Sequence, residues 1–113
     1  MHELSVTQSI LDIVRRHAEQ AQAKRVVRIN LVIGELSGFV DESIQFYFDF
    51  LSRDTPAAGA ELAFTRPATL LRCGACGHEW HPSDADWTCP QCNATRPQVL
   101  AGREFYVDSI EVE

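Results

Sequence analysis

Four cysteines stand in two matched pairs, Cys73-Gly-Ala-Cys76 and Cys89-Pro-Gln-Cys92, enclosing twelve residues from Gly77 to Thr88. Each pair is short enough to bring two sulfurs to one point. Each is followed closely by a residue suited to tight turns, Gly77 or Asn93. Two such knuckles present four thiolates to one ion, and turn N–H groups facing the sulfurs ease the burial of their charge. The span between knuckles is slightly shorter than usual, yet compatible with a tetrahedral zinc on Cys73, Cys76, Cys89 and Cys92. Four thiolates close the coordination sphere, so such a zinc is structural rather than catalytic. Iron in a rubredoxin-like site is the main chemical rival, since it uses the same four sulfurs. A thioredoxin-type dithiol needs one Cys-x-x-Cys rather than two.

A second constellation lies at the start, Met1-His2-Glu3. With a residue as large as histidine in second place, the initiator methionine is expected to stay. The chain then begins with an α-amine one residue from an imidazole. Those nitrogens, with intervening amides that Ni²⁺ or Cu²⁺ can deprotonate, suit square-planar coordination. A helix start favours this, because its first N–H groups have no intrahelical acceptor to lose. The plain alternative is a frayed terminus at which Glu3 complements the helix dipole. Residue types alone leave both readings open. His78 and His81 flank the first knuckle and are expected on the surface, since the thiolates already suffice for one ion.

The elements that must position these groups follow from periodicity. From Leu4 to about Gln22, Leu4, Leu11, Val14, Ala18 and Ala21 recur at helical spacing, with Ile10 and Ile13 widening the stripe. Val27, Ile29, Leu31 and Ile33 alternate as in a strand that Gly34 ends. A second, aromatic helix runs from Asp41, a plausible N-cap, to about Ser52, with Ile44, Tyr47, Phe48 and Leu51 on its inner face. Glu61 to Arg66 reads as a short strand stopped by Pro67. Glu104 to about Val112 reads as the last strand, its alternation changing phase near Asp108-Ser109 as at a bulge. The segment 68–98 lacks strong periodicity and holds every cysteine. The expected fold is α+β: a three-stranded mixed sheet with two helices on one face, plus an inserted four-cysteine zinc subdomain. Residues 1–67 together with 99–113 would form the α/β domain, and 68–98 the zinc subdomain.

Composition narrows the function. The 113 residues are 45% hydrophobic and 23% charged, an ordinary globular balance, with a net charge of −6. Phosphate backbones and anionic membranes are repelled on average by such a chain. Residues 68–98 carry Arg72 and Arg96 against Glu79, Asp84 and Asp86, so the cysteine segment lacks the basic footprint of a nucleic-acid binder. Trp80 and Trp87 could stack on bases, but packing around the knuckles explains them more simply. No apolar run approaches membrane-spanning length and no secretory pattern opens the chain, so it reads as cytoplasmic, where four cysteines favour metal over disulfides. No Gly-rich phosphate loop, nucleophile elbow or His-Glu-x-x-His motif supports an enzyme.

Met1-His2-Glu3, Ile33-Gly34-Glu35-Leu36-Ser37, Ser43-Ile44-Gln45-Phe46, both knuckles and the tail Ser109-Ile110-Glu111-Val112-Glu113 occur in one chain. In that combination, from end to end, the sequence resembles the HypA/HybF family of hydrogenase-maturation nickel chaperones. The resemblance implies transient Ni²⁺ cargo held by the Met1 amine, the backbone nitrogens of His2 and Glu3, and the His2 imidazole. It also implies a structural zinc on the four cysteines. The implied partners are a nickel-linked maturation GTPase and the hydrogenase large-subunit precursor, with neither membrane nor nucleic acid; a homodimer stays open. The expected function is nickel delivery without catalysis. The alternatives are a zinc-ribbon interaction or nucleic-acid-binding module and an iron electron carrier, neither of which accounts for His2.

Overall fold

In the computed structural model, which describes residues 3–113, the first helical period becomes α1, Glu3–Gln20. Val6, Thr7, Ile10, Leu11, Val14 and Ala18 are its buried residues, spaced by three and four along most of the helix. Thr7 is tolerated there because its hydroxyl donates to the Glu3 carbonyl at 2.6 Å. Leu4, expected on the inner stripe, lies at its edge in the first turn and is 41% exposed. Strand β1, Val26–Ile33, buries Ile29, Leu31 and Ile33 on one face, as its alternation predicts. A short 3₁₀ turn, Glu35–Ser37, precedes helix α2, Asp41–Leu51.

The residue preceding α2 is Val40, in extended conformation with no side-chain capping bond, so Asp41 is not the cap. Asp41 falls instead in the first turn, where a carboxylate still complements the helix dipole. Ile44 and Phe48 are fully buried, whereas Phe46 and Phe50 are 65% and 59% exposed. Helix α2 packs against α1.

Strand β2, Glu61–Thr65, runs parallel to β1, with Arg28 opposite Glu61 and Val32 opposite Thr65. A parallel pair needs a crossover, and α2 lies in the connection. Strands β3, Leu70–Cys73, β4, Glu79–Trp80, and β5, Pro97–Ala101, precede the last strand, β6, Phe105–Val112. The first sheet has the order β2-β1-β6. Gly34 N–H donates to Glu104 at one end and Glu113 N–H to Arg25 at the other, so β6 runs antiparallel to β1. The mixed three-stranded sheet with two helices is therefore the observed architecture. On one sheet face Arg28 reaches Glu61 at 3.3 Å and Glu111 at 3.7 Å, while Asn30 donates to Ser109 at 3.0 Å. Such exposed pairs stabilise little, but they mark a solvated face opposite the apolar one. Along β6 the half-buried residues are Val107 and Ile110, three apart rather than two, which is the change of phase visible in the sequence.

The chain divides into two compact units: the described residues up to Val32 with 38–65 and 106–113, and residues 33–37 with 66–105. The second unit holds a sheet of its own, ordered β4-β3-β5, antiparallel throughout, with an irregularity between Leu70 and Leu71. Strands of two to five residues are too short to display a period, which is why this sheet is not legible in the sequence. Among the described residues no helix is long and apolar enough to cross a membrane.

Within the second unit Gly34 meets the 102–104 turn closely. Its N–H donates to the Glu104 carbonyl at 2.7 Å, and Leu36 N–H donates to Gly102 at the same distance. A Cβ at residue 34 would overlap the Gly102 backbone carbonyl. Gly34→Ala is therefore expected to destabilise the protein by about 1–3 kcal/mol, the usual cost of overpacking. Urea unfolding checks it, and an unchanged midpoint would show that the turn relaxes freely.

Candidate metal centre

The four cysteines come from two local structures with the same backbone design. In the first knuckle, at the end of β3, Cys73 N–H donates to the His78 carbonyl at 2.8 Å and Gly77 N–H donates back to Cys73 at 3.0 Å. In the second, Cys89 N–H donates to Ala94 at 2.9 Å and Asn93 N–H donates back to Cys89 at 3.0 Å. Each knuckle closes through a left-handed residue, Gly77 with φ 78° and Asn93 with φ 62°. Glycine and asparagine are the residues that occupy this conformation most readily. The turn geometry then aims N–H groups at sulfur: Ala75 and Cys76 donate to Cys73 Sγ at 3.3 and 3.4 Å, and Gln91 to Cys89 Sγ at 3.4 Å.

All four sulfurs lie within 4.8 Å of one another. Cys73 Sγ is 3.4 Å from Cys92 Sγ, and Cys76 Sγ is 3.7 Å from Cys89 Sγ. A tetrahedron of about 2.3 Å metal–sulfur bonds requires sulfurs about 3.8 Å apart. The donor set thus fits one tetrahedral ion, and Cys73 and Cys89 are buried while Cys76 and Cys92 sit at the surface. The N–H groups of Cys76 and Ala75 pull the Cys73 thiol down to about 6. At Cys92 the Ala94 N–H acts in the same direction, but the Cys73 sulfur and burial outweigh it and push the thiol up to about 12.

Around the cluster the His78 ring stacks on Trp80, with centroids 5.8 Å apart and planes 7° from parallel. His81 Nδ1 lies 2.8 Å from the Thr69 carbonyl, and since a carbonyl only accepts, Nδ1 carries the proton. Glu35 was not singled out for any role by its residue type. Its Oε2 accepts both the Thr69 N–H at 2.8 Å and the Thr69 hydroxyl at 3.1 Å. Those bonds from Thr69, aided by His81, hold its carboxyl below the usual range. A contact spanning 34 residues has no local sequence signature. Because the folded value is lowered, its stabilisation is present above the ordinary glutamate range and lost as pH falls below it. Glu35→Ala is expected to lower the urea midpoint at neutral pH, since Thr69 loses the acceptor of two donors. The deficit should shrink below about pH 4, where glutamate protonates; an equal deficit at every pH would place the effect in packing.

Of the proposed nickel ligands, Met1 and His2 lie outside the described residues. Glu3 opens α1, its Oε2 accepting the Val40 N–H at 3.4 Å. The side chain is thus turned to the start of α2, leaving its backbone nitrogen at a helix position with no intrahelical acceptor.

The family model described as hydrogenase/urease nickel incorporation, metallochaperone, hypA, matches residues 1–112. A hydrogenase maturation factor HypA from Dehalococcoides mccartyi is 45% identical over 113 residues, covering all of this chain and 95% of the relative. One from Caldanaerobacter subterraneus is 43% identical over 114 residues, with both chains covered completely. The solution structure of the Ni metallochaperone HypA from Helicobacter pylori superposes with a TM-score of 0.69 at 25% identity, over 99% of this chain and 97% of that one. A second HypA solution structure gives 0.76 at 26% identity, over 100% and 97%. With a model match across nearly every residue, end-to-end relatives and a four-sulfur centre, the chain belongs to the HypA family of nickel metallochaperones for hydrogenase maturation, which are not enzymes.

Proposed function

We propose that the chain holds zinc permanently on Cys73, Cys76, Cys89 and Cys92 and carries Ni²⁺ as exchangeable cargo on Met1, His2 and Glu3. The observation that carries this division is the closure of the sulfur cluster. Four thiolates within 4.8 Å of one another fill a tetrahedral ion's coordination and leave no entry for exchange. Cargo must therefore use other donors, and the amine, amides and imidazole of the terminus suit nickel's preference for square-planar nitrogen. The domain division follows this chemistry, residues 1–67 with 99–113 serving nickel and 68–98 organised by zinc.

Insertion of the nickel into the large-subunit precursor of a nickel–iron hydrogenase, with a nickel-linked GTPase as co-worker, is the delivery step we assign. The cytoplasm is the matching compartment, because its reducing poise keeps four thiols free for metal. Calorimetric titration of the zinc-loaded, untagged chain with Ni²⁺ tests the reading. One nickel per chain with unchanged zinc content is expected; no uptake, or uptake only with loss of zinc, would refute it.

A further inference from the structure

Helix α2 turns two aromatic side chains outward, Phe46 in edge contact with the Tyr47 ring, with centroids 5.5 Å apart. Phe46 and Phe50 are separated by one helical turn, about 6 Å along the axis, and both are mostly exposed. Beside Phe46 a groove of about 510 Å³ runs between α2 and β2, lined by Asp41, Glu42, Gln45, Phe46, Asp49 and Phe64. The groove is shallow and open, its apolar sides are Phe46 and Phe64, and the exposed carboxylates of Glu42 and Asp49 edge it with no basic residue among its lining. Gln45 ties α2 to β2 beneath it: its Oε1 accepts the Leu62 N–H at 3.3 Å, while its Nε2 donates to Asp49 at 2.7 Å. Further along the same face the Arg53 guanidinium lies over the Phe50 ring, 5.2 Å from its centroid. This surface thus already holds one cation against an aromatic ring.

We propose that the α2–β2 groove is a docking site for a basic amphipathic helix of another protein, one apolar side chain seated between Phe46 and Phe64 and flanking lysines or arginines on the acidic rim. Charge complementarity selects this occupant. The exposed carboxylates of Glu42 and Asp49 repel an acidic segment and attract a basic one, and an apolar knob in an aromatic groove supplies the desolvated contact that charge alone lacks. A second copy of this chain is a poor occupant on the same ground, since a two-fold contact through this face would set Glu42 and Asp49 against their own copies. The proposal stands whether or not the terminus holds nickel.

The test uses the zinc-loaded chain and an 18-residue helical peptide of leucine and lysine, beside a twin with glutamate for lysine. Amide-resolved NMR should place the lysine peptide on α2 and β2, with at least tenfold weaker binding of the glutamate twin. Phe46→Ser and Asp49→Lys should each weaken the lysine peptide at least fivefold, with α2 intact by circular dichroism. Asp12→Lys, the same charge change on α1, should not. Equal losses from Asp12→Lys and Asp49→Lys would reduce the effect to net charge and overturn the groove. Sedimentation showing a dimer that Phe46→Ser dissociates would assign the face to a second copy, and phosphatidylcholine vesicles retaining wild type but not Phe46→Ser would assign it to a membrane. Either result overturns the proposal.

Discussion

Replacing Cys73 or Cys92 by serine is expected to release the zinc and unfold residues 66–105 while α1, α2 and the β2-β1-β6 sheet persist. The reason lies in what fills each unit. Among residues 66–105 the buried apolar positions are Leu71, Cys73 and Cys89. Ile33, which belongs to the same unit, adds one more; if the two cysteines hold an ion as proposed, metal and sulfur make up a large share of this small core. The other unit buries Ile10, Val14, Ile29, Leu31, Ile44 and Phe48 completely and needs no metal to exclude water. Structural zinc contributes about 10–16 kcal/mol in small zinc modules, far more than one buried leucine supplies. A serine hydroxyl stays protonated near neutral pH and offers a harder, weaker donor. Elemental analysis should show loss of the ion, and NMR should show collapsed dispersion confined to 66–105. Full zinc retention in both variants would defeat the four-cysteine assignment.

How far the sequence was legible depended on the length over which a pattern repeats. Helix α1 spans five turns and β1 eight residues, so a period of 3.6 or 2 is sampled often enough to show which face is buried. Errors fall where the pattern is short or its edge decides. Leu4 stands at the margin of its stripe, and Asp41 has a capping residue's chemistry but Val40 occupies the position. The cysteine knuckles were legible because four cysteines in two matched pairs at fixed spacing have few uses other than gathering around one ion. The sheet around them was not, since β4 is two residues long. Glu35 was invisible for another reason. Its bonds to Thr69 depend on the fold bringing distant backbone together, and nothing within a few residues of either encodes that. The terminus is the opposite case: Met1 and His2 fit nickel chemically, yet a dipeptide is too short to carry a role, and the family resemblance supplied what spacing could not.

Extending the chain by two or three residues ahead of Met1 is expected to weaken Ni²⁺ binding as much as His2→Ala does, with zinc and fold untouched; a single added residue is avoided, because it would put the imidazole third in the chain, where amine, two amides and imidazole form a square-planar chelate of their own. The extension leaves every side chain in place. It converts the Met1 amine, which owns a lone pair for nickel, into an amide whose nitrogen must first lose a proton, and it displaces the amine from chelate reach of the His2 imidazole. His2→Ala removes the other end of the same chelate. Disturbing groups merely adjacent to a metal's ligands costs about 10–100-fold in affinity, so losing a ligand should cost at least that much. The paired comparison isolates the terminus from the other histidines. Binding at His78 or His81 would be indifferent both to an extension and to the loss of His2, because neither change alters those two rings. Glu3→Ala separates backbone from side chain: if only its nitrogen serves nickel, affinity should hold, although the bond from Val40 to its carboxylate is lost. Calorimetric titration of the native, extended, His2→Ala and Glu3→Ala chains decides between these outcomes. Equal affinities across all four would sink the terminal site and send the search for the cargo to other nitrogen donors.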